Sequence, residues 1–168
     1  QAKILQEIGA KHICNSSDES FKKDLVEAIA ETGATLGFDA TGGGDLASQV
    51  LAAMEVAQNR DNKNYSVYGS TTLKQVYQYG FLDRSPTTLY HNYGMAWSVG
   101  GFLLPNHLAK LGQEATFKLF GRVLSQLTTT FASHYEGEVT LSGALQLDAV
   151  KAYSQQATGQ KYLVTPSK

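Results

Sequence analysis

A run of three glycines lies between an apolar segment and an amphipathic one, and it has the composition of a phosphate-binding turn. From Gly42 to Ala47 it satisfies the G-x-G-x-x-A spacing with which a strand, a turn and a helix cradle a dinucleotide pyrophosphate. Asp45 argues against this role, because a carboxylate at the helix start is predicted to occupy the amide donors and to repel a dianion. The next predicted strand also ends in Tyr79 and Gly80, without the charged residue that would read the ribose.

The alternative is that this segment is a different strand end at the edge of the same kind of ligand crevice. In doubly wound sheets, ligands lie across the carboxyl ends of the parallel strands. The sequences DATGG and QYG are two consecutive predicted strand ends, at which small residues allow a flat ligand to approach the backbone. Ordinary turn glycines would produce the same pattern, so the local chemistry leaves both interpretations open.

Metal chemistry finds little support in the sequence. A zinc site needs three or four Cys, His or acidic ligands that converge, and this chain has one cysteine, Cys14, and four scattered histidines: His12, His91, His107 and His134. Cys14 lies in a short apolar run, where a buried, inert thiol is the favoured interpretation. We therefore expect no zinc in this segment.

Nucleophilic and acid–base chemistry is also weakly indicated. The chain has no G-x-S-x-G turn of a serine hydrolase. Its tyrosines cluster in the middle of the chain without an evident partner that would lower their pKa, so packing is the favoured use. Arg84 and His91 lie in a predicted loop and are candidates for contact with substrate or phosphate, but a solvated surface role is preferred.

The elements that would position these residues alternate between strand and helix in the first half of the chain. KHICN and ATLGFDA are predicted strands, and Ser16 and Glu19 have the spacing of a capping box for a helix that Gly33 ends. A second helix follows Asp45. KQVYQYG is predicted to be a strand, GFLDRSPTTLYHNYG a loop, and MAWSVGGFLL a strand interrupted by two glycines. This alternation is typical of an α/β parallel sheet.

The second half begins with Pro105 at a predicted helix start, followed by one long amphipathic helix that extends to Leu127. TTTFASHYEGEVTL predicts short strands, residues 142–159 a helix, and KYLVTP a last strand. We therefore divide the chain at residue 127, into residues 1–127 and 128–168.

Composition places the chain among globular proteins. Its 168 residues are 42% hydrophobic and 17% charged, which suits one domain or one domain with a small appendage. A net charge of −1 with interspersed signs lacks the electrostatic footprint of nucleic-acid binding. The longest apolar run is too short to span a membrane, and a single cysteine fits a reducing compartment. We expect a cytoplasmic protein, and a chain that starts inside an element, as a fragment would.

Four segments together resemble the medium-chain dehydrogenase/reductase superfamily. They are GATLGFDATGGGDLASQVLAAME, KQVYQYGFLD, GMAWSVGGFLL and ATGQKYLV, in this order over nearly the whole chain. The branch that the chain is most similar to is quinone-oxidoreductase-like, a branch often labelled zinc-binding alcohol dehydrogenase. Each motif is weak alone, whereas four in sequence with sensible gaps are fairly specific.

The resemblance implies a partial doubly wound, Rossmann-type sheet with helices, followed by a short α+β segment that returns to a substrate domain. It also implies a nicotinamide cofactor across the strand ends, with NADPH favoured over NADH, and no metal in the reaction. The residues that it places beside the cofactor are Thr41, Gly42, Gly43, Tyr79, Gly80, Gly101, Phe102, Leu103, Thr158 and Gly159. No residue of this chain is assigned a catalytic role.

The departures from the family pattern concern its first part. The pyrophosphate fingerprint and the small amino-terminal domain are expected upstream of Gln1, so the sheet would lack two central strands and the KHICN strand would lose its neighbour. We expect the latter portion of an oxidoreductase that transfers hydride to a quinone, enone or carbonyl, inactive by itself. A homodimer is expected through an edge strand near residues 95–104, with Trp97 and Phe102 facing outward. The alternatives are a non-catalytic α/β dimerisation or nucleotide-binding module and another doubly wound enzyme, such as a methyltransferase.

Overall fold

The computed structural model describes residues 1–63, 66–132, 134–154 and 161–166. The chain forms two compact units, Gln1–Leu104 and Pro105–Lys168. The functional boundary at residue 127 stays a prediction, since compactness of the backbone does not identify where a cofactor domain ends.

The first unit alternates helices with short strands. Its elements are α1 (Ala2–Glu7), α2 (Phe21–Thr32), β1 (Leu36–Asp39), β2 (Gly42–Gly44), α3 (Leu46–Asn59), β3 (Lys74–Gln78), β4 (Asp83–Thr87) and β5 (Trp97–Gly101). Strands β1, β3 and β5 form a parallel sheet in the order β1-β3-β5. The predicted α/β class with a parallel sheet is confirmed.

Helix α3 forms the core of this unit. Its residues Leu51 and Met54 are fully buried and cluster with Val76 of β3, while Ile29 brings α2 into the same cluster. Leu51 and Met54 are three residues apart and lie on one face of the helix, which is the spacing of an apolar stripe that faces a core. In β3, alternation directs Lys74 and Val76 into the core.

Helix α2 starts later than the sequence pattern predicts. The capping box at Ser16 and Glu19 is wrong, because the helix begins at Phe21 with Ser20 at its N-cap. The Ser20 hydroxyl donates to the Asp24 carboxylate at 2.7 Å, and the residues before it form turns. Gly33 ends the helix in the left-handed conformation, at φ 67°, as predicted.

The predicted KHICN strand is absent, since residues 11–15 have no regular structure. Within the described part of the chain, β1 pairs only with β3, so the apolar residues of KHICN have no strand beside them. A β-strand depends on a neighbour for its backbone hydrogen bonds, which explains why β-prone residues remain irregular here.

The segment GFLDRSPTTLYHNYG was predicted to be a loop and instead contains β4. This strand pairs in parallel with β2, from Gly42 opposite Asp83 to Gly44 opposite Thr87, with an irregular register between the two pairs. Pro86 lies inside β4. Proline is tolerated in an edge strand because the missing amide faces away from the partner.

The second unit holds α4 (Leu104–Leu111), α5 (Gln113–Ser125), β6 (Gly137–Val139), a 3-10 turn (Gly143–Leu145), α6 (Leu147–Ser154) and β7 (Tyr162–Val164). The predicted single helix up to Leu127 is wrong, because Gly112 adopts φ 81° and ψ 171° and separates α4 from α5. Among the described residues of TTTFASHYEGEVTL, β6 is the one strand found, and β7 confirms the strand predicted in KYLVTP. The two strands pair in parallel. The predicted helix at residues 142–159 is interrupted at Gln146, whose backbone is extended, and residues 155–160 lie outside the described residues.

Candidate functional site at the strand ends

The carboxyl ends of the three sheet strands meet at one edge, as the sequence predicts. Pairing continues one residue beyond the strands, because the Tyr79 amide donates to the Asp39 carbonyl at 2.9 Å and the Phe102 amide to the Gln78 carbonyl at 2.8 Å. Eight of the ten predicted cofactor residues lie at these ends or shortly after them. We call them the strand-end residues: Thr41, Gly42, Gly43, Tyr79, Gly80, Gly101, Phe102 and Leu103. Thr158 and Gly159 lie outside the described residues.

A buried carboxylate organises the turn after β1. Asp39 is only 5% exposed, and its Oδ1 accepts hydrogen bonds from the amides of Thr41 at 2.7 Å and Gly42 at 3.2 Å. The Gln78 side-chain amide donates to Oδ2 of Asp39 at 3.4 Å and to the Gly42 carbonyl, which also accepts from the Thr87 hydroxyl at 2.8 Å. These contacts fix the backbone that the site would offer to a ligand. Sequence reasoning missed all three side chains, although aspartate two residues before an amide is the pattern of an Asx turn.

Three of the predicted site glycines are required by the packing of the chain itself. Gly42 has φ 85°, and a Cβ there would collide with the Gly80 carbonyl; a Cβ on Gly80 would collide with Ala40. A Cβ on Gly43 would lie 2.7 Å from the Ser85 carbonyl oxygen. Gly42 and Gly43 are buried. Close approach of two backbones is therefore sufficient to explain these glycines.

The remaining strand-end residues leave open space beside the sheet edge. No described atom lies within 4 Å of a Cβ added to Gly101, and its φ is not in the left-handed region. Tyr79 is 55% exposed and Leu103 is 61% exposed. Gly101 is thus a glycine without a packing requirement among the described residues, at the same sheet edge as two exposed side chains.

An aromatic cluster lies on the sheet face opposite α3. Phe102 is edge-on to Phe38 at a ring-centroid distance of 5.5 Å and to Tyr77 at 5.7 Å, and Phe38 and Tyr77 stack at 5.9 Å. Phe38 remains 57% exposed. Phe102 was predicted to face outward. Its ring is half-buried, because it follows β5 and packs against Phe38 of β1 and Tyr77 of β3.

Trp97 was predicted to face outward, and this prediction is wrong. Its ring packs edge-on against the fully buried Tyr93 at 4.8 Å and also contacts His91 at 5.8 Å. Alternation along β5 places Trp97 and Val99 on the core side, whereas Gly100 faces Tyr77 on the opposite side. Tyr93 therefore has the packing role that the sequence favours for the tyrosines.

The expected capping role of Asp45 is also wrong. Its carboxylate makes no capping bond to the amides of α3. Oδ1 accepts from the Gln49 side-chain amide at 2.7 Å, and Oδ2 accepts from the Tyr90 hydroxyl at 3.3 Å. These side-chain donors compete with the helix amides for the carboxylate. The negative charge nevertheless stays at the helix start, where it would repel a pyrophosphate.

A cavity of about 500 Å³ adjoins the glycine run and is lined by β4 and the residues that precede it. Phe81 and the Thr87 side chain contribute to its walls, and Arg84 supplies positive charge. Asp83 faces the same cavity, and hydrogen bonds from the backbone and side chain of Ser85 hold the pKa of this exposed carboxyl below its ordinary value. Arg84 was predicted to lie in a loop. It belongs to β4 and lines this cavity.

A buried ion pair, which the sequence did not reveal, lies at the amino end of β3. Lys74 Nζ is 2.6 Å from Glu55 Oε2, and the two side chains are 0% and 10% exposed. Burial raises the pKa of Glu55, but hydrogen bonds from Lys74, from the side chain and backbone of Ser70 and from Asn59 outweigh it and lower the pKa to about 2. Because this end of the sheet is opposite the strand ends, we assign the pair to stability.

Neither a metal cluster nor a membrane span is found in the described ranges. No three His, Cys, Asp or Glu side chains among them are grouped so that they could hold a metal ion. None of their helices combines the length and the apolar character that crossing a bilayer requires.

The fold resembles that of a known protein. A candidate NADPH:quinone reductase from Mesorhizobium loti, solved by crystallography, superposes with a TM-score of 0.69 at 19% sequence identity, over 98% of this chain. The chain spans 42% of the length of that protein. At this identity the likeness establishes the fold. No protein-family model and no curated protein matches the sequence.

Proposed function

We propose that the chain is the latter portion of an NADPH-dependent oxidoreductase that transfers hydride to a quinone, enone or carbonyl compound. The observation that carries this proposal is the open carboxyl edge of the sheet, where Gly101 lacks any packing requirement among the described residues and Tyr79 and Leu103 are exposed. The likeness to the candidate quinone reductase over almost the whole chain supports the same assignment.

The residues of this chain would provide one wall of the cofactor groove. A bound nicotinamide would supply the hydride. The Asp39 turn holds the first strand end rigid, while Gly101 admits a flat ring close to the backbone and Tyr79 and Leu103 limit its movement. We propose no metal in this reaction.

The chain by itself would bind the cofactor weakly. A pyrophosphate needs several backbone amides at a helix start, and here the Asp45 carboxylate stands at that position in α3. The nicotinamide half would therefore contact this chain, whereas the adenosine phosphates would need residues outside it. On this view the chain alone lacks reductase activity.

Amide chemical-shift mapping tests the proposal without requiring activity. We expect NADPH and reduced nicotinamide mononucleotide to shift the amides of Tyr79, Gly101 and Leu103, and adenosine 2′,5′-bisphosphate to leave them unchanged. Gly101→Val should abolish these shifts without unfolding the chain. Gly121→Val is the matched control, since a Cβ at Gly121 also meets no described atom within 4 Å.

Shifts confined to the adenosine compound, or shifts that survive in the Gly101→Val variant, would overturn the proposal. In that case the non-catalytic module is favoured, because exposed Leu36 and Phe38 on β1 form an apolar surface suited to association.

A further inference from the structure

A second cavity, of about 200 Å³, lies between α2 and α3. None of the residues that line it belongs to the strand-end residues. Its apolar part is formed by Val26 of α2 and by Ala52, Ala53 and Val56 of α3. Alanines at two adjacent positions of α3 leave the gap, because their side chains are too short to fill the space between the helices.

Val56 shows that this gap is not closed by the chain itself. It is 54% exposed, although it lies beside the buried Ala53 and contributes to the same cavity. A cavity of about 150 Å³ holds benzene, so this one has space for roughly eight non-hydrogen atoms. A ligand of that size would cover Val56 and contact both alanines.

Charges of opposite sign border the cavity. Lys22 contributes from α2, and within the described part of the chain it has no ion-pair partner; Asp45 contributes from the start of α3. The Asp45 carboxylate accepts one hydrogen bond from Gln49 and one from Tyr90. A carboxylate offers about four acceptor positions, so Asp45 retains capacity for a further donor.

The loop that carries Tyr90 is fixed at the cavity rim. The Tyr90 amide donates to the Ser48 hydroxyl at 3.0 Å, and Ser48 is fully buried. Tyr90 is therefore held beside Asp45, and Asn92 lines the same cavity. A polar rim with fixed geometry around an apolar floor is the arrangement typical of small-molecule sites.

We propose that the cavity between α2 and α3 binds a branched aliphatic α-amino acid, whose carboxylate faces Lys22 and whose ammonium group faces Asp45. The zwitterion matches the two charges, and a branched side chain matches the size and the apolar floor. An aliphatic acid or amine of the same length would satisfy only one of the two charges.

Titration with L-leucine, followed by amide chemical shifts, tests this site. We expect saturable shifts at Val26, Ala52 and Val56, and at least threefold weaker binding of 4-methylpentanoate and of 3-methylbutylamine, because a charged hydrogen bond contributes about tenfold when well shielded and less at a rim. Lys22→Gln and Asp45→Asn should each weaken leucine binding at least threefold. Lys23→Gln, at the next position of α2 and outside the cavity lining, should not change it.

Ala52→Leu should remove leucine binding by filling the cavity, and unchanged fluorescence of Trp97 would verify that each variant is folded. The proposal is overturned if leucine leaves the three amides unmoved, if both analogues bind as tightly as leucine, or if Lys23→Gln weakens binding as much as Lys22→Gln. The test is independent of the strand-end site, whose amides we expect leucine to leave unchanged.

Discussion

Replacing Lys74 by methionine should cost more stability than any other single charge removal in the first unit. Lys74 is completely buried, and its ammonium group donates to the Ser70 hydroxyl at 2.8 Å and to the Thr72 carbonyl at 3.1 Å, in addition to its ion pair with Glu55. Methionine retains the apolar stem but removes every one of these donors. The Glu55 carboxylate would then be buried without a counter-charge.

The expected loss in the free energy of unfolding is about 3 kcal/mol. Removing one partner of a buried ion pair costs about 3–5 kcal/mol, and the lower end applies because Glu55 keeps hydrogen bonds from Ser70 and Asn59. The lowered pKa of Glu55 has the same sign, because Lys74 is one of the hydrogen-bond donors that stabilise its ionised form.

Urea denaturation at pH 7, followed by Trp97 fluorescence, measures this loss. Trp97 is the single tryptophan of the chain and packs against the core of the same unit. Arg60→Met is the matched control: Arg60 and Glu27 approach to 2.5 Å but are 40% and 57% exposed, so it should cost about 0–1 kcal/mol. Adding Glu55→Gln to Lys74→Met should restore part of the loss.

The reasoning is refuted if Lys74→Met costs less than about 1 kcal/mol, or no more than Arg60→Met. It is also refuted if the added Glu55→Gln deepens the loss, because an amide at that position carries no charge that needs a partner.

Three further predictions concern pH, the glycines and association. Because the pKa of Glu55 is lowered to about 2, its contribution to stability is complete above about pH 4.5 and is lost towards pH 2; urea midpoints of the Glu55→Gln variant should fall less steeply over this range. Gly80→Ala should destabilise the first unit by about 1–3 kcal/mol, since its Cβ would meet the Ala40 backbone, whereas Gly101→Ala should change the urea midpoint little. If the chain dimerises through the edge strand near residues 95–104, Met95→Glu should weaken the dimer in sedimentation equilibrium and Leu36→Glu should not; the reverse result would assign the interface to β1.

Hydrophobic periodicity predicted the helices and strands whose structure is determined by residues within the same element. The helix that follows Asp45 and the strand within KQVYQYG have local patterns, and the structure confirms both elements. The predictions were wrong where the structure of a segment depends on another segment beside it. KHICN is β-prone without a strand beside it, and Asp83–Thr87 is turn-rich but pairs with β2. The break at Gly112 belongs to the same group, because a helix continues through or stops at a glycine according to its surroundings.

The site shows why residue type alone could not separate ligand contact from internal packing. Glycine permits close approach, but the approaching group can be a cofactor or another part of the chain. At Gly42, Gly43 and Gly80 the space of the missing Cβ is filled by backbone of the chain itself, whereas at Gly101 it is empty among the described residues. The sequence shows four equivalent glycines, and only the identity of the neighbouring atoms distinguishes them. A side chain could be added at Gly101 without a clash among the described residues, and this difference from the other three glycines depends on atoms that are distant in the sequence.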